Sequence, residues 1–320
     1  MKNANAIRTS KGGLQITVIG KKKALKVIQN YQLYLLFLPT FLFFIIFHYG
    51  PMYGLQIAFK DFNFAKGITG SPWIGFEHFE RFFRSRQFWT LIKNTLGLSL
   101  YNLLVGFPVP IILALSLNQI TRNRFRRFAQ TITYAPHFIS TVVLVGMMSV
   151  FLSPSTGLIN HLITFLGGDP IYFFGEAGWF QTLHVFSGVW QHAGWGAIIY
   201  LAVLAGVDPG LHEAAIVDGA NKFQRIRHID FPSIIPTAVI LLILNFGTLL
   251  TVGFEKTFLI QTPLNIASSE VIATYVYKTG LLGSQFSYSA AIGLFDSVIN
   301  LILLIAVNRL ARKFTESSLW

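Results

Sequence analysis

Few side chains in this 320-residue sequence have the type and spacing that bond-making chemistry demands. His212 and Glu213 begin the pattern H-E-x-x-H, but Ile216 stands where a helical zinc site needs its second histidine. His184 and His192 are eight residues apart with no carboxylate between them. No G-x-S-x-G elbow offers a serine nucleophile, and no G-x-x-x-x-G-K-[ST] loop offers a cradle for phosphates. The absence of cysteine excludes disulfides and thiolate metal sites. The candidates that remain suit binding.

Sugars are held by aromatic faces against C–H surfaces and by planar polar groups against hydroxyls. The stretch VWQHAGWGAIIY supplies Trp190, Gln191, Trp195 and Tyr200 with small residues between them. Glu255 and Lys256, with Tyr275, Tyr277 and Lys278 farther on, could form the mouth of such a path, and the lysines would suit a carboxylated sugar. Trp and Tyr also anchor at membrane interfaces, and a Glu beside a Lys commonly faces water. Asp296 lies about ten residues into the last long apolar run, ~15 Å along a helix and so near a bilayer centre. Asn245 is expected at a similar depth, and Asn300 one turn beyond Asp296. An acid at that depth needs a cavity or a polar partner, since facing lipid costs on the order of 3 kcal/mol. Lining a sugar path and hydrogen bonding between helices remain equal readings of Asp296.

The elements that must position these residues are dictated by composition. With 53% hydrophobic residues, 12% charged residues and a mean hydropathy of +0.56, the chain is too apolar for an ordinary water-soluble domain. Charge-free runs cover 27–59, 94–121, 128–168, 177–207 and 231–254, and a sixth run over 286–308 is interrupted only by Asp296. Each accommodates the roughly 20 helical residues that cross a bilayer. No alternating pattern suggests a barrel, so the expected fold is all-α, with six transmembrane helices.

Lys and Arg set the orientation. They concentrate in 1–31, at Arg122, Arg124, Arg126 and Arg127, at Lys222, Arg225 and Arg227, and after Asn308, which predicts both termini in the cytoplasm. The net charge of +12 then reflects topology and attraction to anionic lipid, with no nucleic-acid partner. The run KKKALK is followed by a long Phe-rich segment without a cleavage site, so it is expected to be retained. The expected organisation is a basic cytoplasmic segment at 1–31, a single transmembrane domain at 32–310 and a cytoplasmic tail at 311–320. The outer connections GITGSPWIGFEHFERFF and 261–285 are expected to fold over the bundle.

One segment, HEAAIVDGANKFQRIRHIDFPSIIP, is tightly punctuated between two apolar runs, and the predicted orientation puts this loop, about 208–235, in the cytoplasm. Asp208 is a good N-cap, Pro209 fits a first helical position, and Gly219 suits the left-handed residue that ends a helix. Asn221 caps a second predicted helix to about Ile229, before Pro232 and Pro236 redirect the chain. Ala214 and Ala215 leave a low surface beside Glu213 and Asp218, which suits docking of another protein better than a solvated connector.

Glu213, Ala214, Ala215, Asp218, Gly219 and Ala220, followed at the right spacing by Ile229, Pro232 and Pro236, resemble the EAA loop of permease subunits in bacterial ABC importers. FLPTFLFFIIFHYGPMYGLQIAFKDF, TITYAPHFISTVVLVGMM and INLILLIAVNRLARK extend the resemblance over nearly the whole chain. These stretches look like carbohydrate-uptake permeases related to the maltose importer, within the oligosaccharide and polysaccharide branch that includes the alginate importer. The resemblance implies the type I importer transmembrane fold, in the bacterial cytoplasmic (inner) membrane. It also implies a second permease subunit, two ATP-binding subunits that hold ATP and Mg, and an extracytoplasmic sugar-binding protein. The chain itself would have no cofactor and no ATPase site. The EAA loop would be the coupling helix, with Glu213 making a polar contact to the ATPase and Gly219 shaping the turn. An ion-driven carrier using Asp296 would instead predict related halves, which are not evident. An intramembrane enzyme lacks a recognisable site.

Overall fold

A computed structural model of the protein describes residues 30–314, so the basic run KKKALK and residues 315–320 lie outside the described residues. Two compact units divide the chain, Met1–Gln56 and Ile57–Trp320. In the first, α1 (Tyr31–Phe44) passes through a π turn at Ile45–Tyr49 into further helical turns. No charged side chain interrupts the helical run Tyr31–Phe59.

The second unit holds the remaining helices. Short α2 (Glu77–Phe83) precedes α3 (Gln87–Gly106), which continues into α4 (Pro108–Asn118). The prolines at the start of α4 occupy first-turn positions, where a missing N–H costs little. Next come α5 (Asn123–Tyr134), α6 (Thr141–Phe151), α7 (Leu158–Phe165) and the 26-residue α8 (Phe180–Ala205). The docking loop contains α9 (Pro209–Val217) and α10 (Lys222–Arg225). The chain closes with α11 (Phe231–Gly247), α12 (Phe254–Ile260), α13 (Ile266–Ser269), α14 (Ile272–Tyr277) and α15 (Phe286–Phe314). Among the described residues there is no sheet, only an isolated bridge between Lys60 and Trp73.

Among the described residues four helical runs are long and apolar enough to cross a membrane: Tyr31–Phe59, Gln87–Asn118, Lys222–Gly247 and Phe286–Lys313. Two bent pairs raise the number to six if each is one span. Asn123–Phe138 meets Thr141–Phe151 at 99°, and Ala177–Ala205 meets Pro209–Val217 at 73°. The apolar run at 128–168 is therefore not one straight helix. Pro136 sits in a 3-10 turn, Ser140 starts α6 by accepting a hydrogen bond from Val143 N at 3.3 Å, and Gln191 Nε2 donates to the freed Ile139 carbonyl at 2.7 Å. The prolines after the docking loop also act differently from expectation. Pro232 lies in the first turn of α11 and Pro236 inside it, and a π turn at Ile226–Asp230 carries α10 directly into α11. A proline removes one backbone donor, which packing of the surrounding helix tolerates.

Among the described residues three apolar clusters organise the packing, and two of them surround the helices of the site. Leu98, Val145, Phe180, Val185, Val252, Ile260 and Val271 join α3, α6, α8 and the segments around α12. Ile111, Ala114, Ala197, Tyr200, Leu204 and Ile234 join α4, α8 and α11. Helix α5 packs against α8 at Gly194, where any Cβ would collide with the Thr133 carbonyl. At the end remote from the docking loop, buried asparagines organise the connections. Asn160 Nδ2 donates to the carbonyls of Leu152, Ser153 and Ile171, and its Oδ1 accepts from Ile171 N at 2.7 Å. Asn265 likewise donates to the Phe174 and Ile260 carbonyls while its Oδ1 accepts from Thr262 N and Ser269 Oγ. Such side chains replace the ladder bonds that irregular backbone lacks.

Candidate functional site

The docking loop is built by local caps. Asp208 Oδ1 accepts from Gly210 N at 2.8 Å to start α9. At its end Gly219 has φ +80°, Ala220 N donates to Ala215 O at 2.8 Å, and Gly219 N donates to Ile216 O at 3.0 Å. That pair of bonds is a Schellman closure, and its left-handed residue disfavours a side chain. Asn221 and Gln224 then form a reciprocal capping box, at 2.9 and 2.7 Å. Rigid in backbone, the loop is open in surface. Glu213, Ala214, Asp218 and Gly219 are exposed, as are Leu211, Ile216, Val217 and Phe223; Ala215 and Ala220 are half-buried. Val217 is 86% exposed and Phe223 70%, an apolar surface of the kind that contacts another protein.

Beneath this surface lies a polar node that sequence reasoning missed. Asp230, fully buried, accepts from Gln119 Nε2 at 2.8 Å and Asn118 Nδ2 at 3.4 Å, both at the end of α4. His212 Nε2 lies 3.4 Å from its other contacted oxygen, Oδ1, which Asn118 shares. The node ties the residue next to Glu213 to two membrane helices. Its only sequence signal was an acid among bases in RIRHIDFP and an Asn-Gln pair ending an apolar run.

The second feature is a cavity of 760 Å³ among α3, α4, α8, α11 and α12. Of the residues expected on a sugar path it gathers Gln191, Trp195, Tyr200, Asn245, Glu255 and Lys256. It adds Asn102, His184 and His192, which the sequence reading did not select. His137 stacks on Trp195 at 4.5 Å between ring centroids, with planes 4° apart, and its Nδ1 lies 3.2 Å from His192 Nδ1. Gln191 spends its amide on the Ile139 carbonyl, and Asn245 Nδ2 donates to Leu241 O in its own helix. Glu255 is exposed to the cavity, whereas Lys256 is only 9% exposed. Burial pushes the Lys256 ammonium down to about 8, so it still carries its proton at pH 7.

Other expected path residues sit elsewhere. Trp190 is 49% exposed and does not line this cavity. Tyr277 packs between Phe254 and Phe258, and Lys278 pairs with Glu270 at 3.1 Å. Tyr275 packs with Phe82, Leu91 and Tyr288. Asp296 Oδ2 accepts from Asn300 Nδ2 at 3.3 Å, outside the cavity lining and without Asn245. Asn300 in turn accepts from Leu250 N at 3.0 Å and reaches Thr251 Oγ1 at 3.4 Å. It thereby satisfies part of the unwound backbone between α11 and α12, which lines the cavity.

A multi-pass helical bundle with a capped, exposed docking loop at one end and a polar-lined cavity within is the architecture of a transport subunit. The chain belongs to the family of binding-protein-dependent transport system inner membrane components, whose pattern matches residues 106–316. It is therefore a permease subunit of a bacterial ABC importer, in the inner membrane. The polygalacturonan/rhamnogalacturonan transport system permease protein YteP of Bacillus subtilis (strain 168) is 45% identical over 300 residues, covering 94% of each chain. In the crystal structure of a bacterial ABC transporter involved in import of the acidic polysaccharide alginate, one chain superposes with a TM-score of 0.86. That chain is 41% identical, and the match covers 92% of this protein and 99% of its counterpart. A chain of the alginate ABC transporter in complex with an alginate pentasaccharide-bound periplasmic protein gives a TM-score of 0.85 at 40% identity, covering 92% and 98%. The type I importer fold expected from the sequence is thus observed.

Proposed function

We propose that this permease imports acidic oligosaccharides or polysaccharides, delivered by an extracytoplasmic binding protein and driven by partner ATPases. It crosses the membrane six times, with α8 as one span and the bent α5–α6 pair as another, α9 lying outside the bilayer, and with both termini in the cytoplasm. A second permease completes the pathway. ATP and Mg belong to two partner subunits, and this chain contributes no catalysis of its own. The observation that carries the reading is the likeness, over nearly the full length of both chains, to an importer of an acidic polysaccharide.

In this reading the 208–235 segment rests in a cleft of the ATPase. Glu213 makes the polar contact, Ala214 and Ala215 allow close approach, and the Asp218-Gly219-Ala220 turn presents the helix. Leu211, Ile216 and Val217 supply exposed apolar area beside it. When ATP draws the ATPases together, α9 moves with them and pulls on α4 and α11 through the Asp230 node, exchanging inward and outward access to the cavity. The reconstituted complex tests this by binding-protein-stimulated ATP hydrolysis, compared for wild type and Glu213→Ala with neutral and uronic oligosaccharides. Stimulation by uronic sugars that disappears in the variant, with membrane insertion intact, is expected. Full stimulation in Glu213→Ala would remove the docking role, and no stimulation by any sugar would remove the oligosaccharide cargo.

A further inference from the structure

Lys256 stands out because nothing among the described residues answers its charge. It projects from α12 toward α8, with Nζ so close to Gly188 that a Cβ there would lie 2.8 Å away. Ordinary residues at 188 would displace the ammonium. Among the described residues Lys256 makes no ion pair: the pairs formed are Arg84 with Glu80, His212 with Asp230, and Lys278 with Glu270. Neighbouring Glu255 lines the same cavity and is exposed, but it forms no ion pair with Lys256. A buried cation without a counter-ion is costly unless something else supplies negative charge. The same wall carries His184 and His192, both facing the cavity and neither a source of negative charge. His184 Nε2 is engaged with Thr257 Oγ1 at 3.2 Å, while its Nδ1 is buried without a partner. Next to His192, Trp195 lines the cavity with the His137 ring stacked against its own.

We infer that Lys256 receives the carboxylate of a uronic sugar residue inside the cavity, with His192 as a second polar contact and Trp195, braced by His137, as the platform for the sugar ring. The site rests on the importer reading and adds to it a residue that selects for charge. It needs no carboxylate partner of its own because the cargo brings one. Lys256 thereby favours acidic over neutral units, and Glu255 at the open side repels a second carboxylate and keeps the passing chain from settling. Gly188 provides the room.

The test uses the intact complex with its binding protein in liposomes. Uptake of an oligogalacturonate is compared with uptake of the same oligomer after carboxyl reduction, for wild type, Lys256→Gln and Lys256→Arg. Loss of one charge-assisted contact should lower the acidic-to-neutral preference about tenfold in Lys256→Gln, and Lys256→Arg should restore most of it. An unchanged preference, or equal loss for both oligomers, overturns the assignment while leaving the importer reading in place. Failure of wild type to take up either oligomer counts against the importer reading instead. Binding without transport then decides the site: quenching of tryptophan fluorescence by oligogalacturonate in the purified complex, weakened about tenfold by Lys256→Gln, supports it, and no difference between the proteins overturns it.

Discussion

The docking loop and the cavity solve opposite problems. The loop is stabilised from within, by caps whose partners are two to five residues apart, and it turns Glu213, Val217 and Phe223 outward. The cavity and the connections above it are stabilised from a distance. Asn300 serves backbone 50 residues away, and Asn265 reaches the Phe174 carbonyl 91 residues away. A surface offered to a partner can be written in local sequence, whereas a hollow inside a membrane protein needs its broken backbone satisfied by whichever helices enclose it.

Removing a long-range bracket should therefore do more damage than altering the loop. Asn265→Ala leaves the Thr262 N–H, the Ser269 hydroxyl and the Phe174 and Ile260 carbonyls without their side-chain partner, and about 3 kcal/mol of stability should be lost. Thermal unfolding of the detergent-purified complex would show it; a midpoint within experimental scatter of wild type would break the distinction between the regions. Asp230→Asn is expected to cost less stability, about 1 to 2 kcal/mol, because an amide keeps the shape but replaces one acceptor by a donor facing donors. Its larger effect should be on sugar-stimulated ATP hydrolysis, several-fold lower with the complex still assembled. Wild-type stimulation would mean that α9 moves the membrane helices without this node.

The smallest change is Asp296→Asn. It should alter uptake more than folding, since the Asn300 contact survives in some form and Asn300 keeps its bond to Leu250. Equal loss of both would assign Asp296 to helix packing alone.

Much of the loop was legible because its chemistry is local. Asp208, Pro209, Gly219 and Asn221 each have a conformational preference that reads directly from residue type, and each occupies the position that preference predicts. The prolines at 232 and 236 were misread because a proline in the first turn of a helix and one that ends a helix look alike until the preceding π turn is seen. On the expected sugar path, composition gathered aromatic and polar residues but not their directions. Trp195 faces the cavity and Trp190, five residues earlier on the same helix, does not line it. Lys278 looked equivalent to Lys256 in sequence, yet Glu270 neutralises one and nothing among the described residues pairs with the other.

By itself the sequence determined that the chain is a helical membrane protein, because a bilayer accepts only backbone that satisfies its own hydrogen bonds, and runs of some 20 apolar residues announce it. It also determined the docking loop, whose caps and turn lie within a few residues of the groups they serve. Tertiary structure alone decided where α5 meets α6 at 99°, how Asn300 holds open the break after α11, and that His137 braces Trp195 beside an unpaired Lys256. Those outcomes depend on contacts between helices far apart in the chain, and periodicity along one helix carries no information about which neighbour will face it.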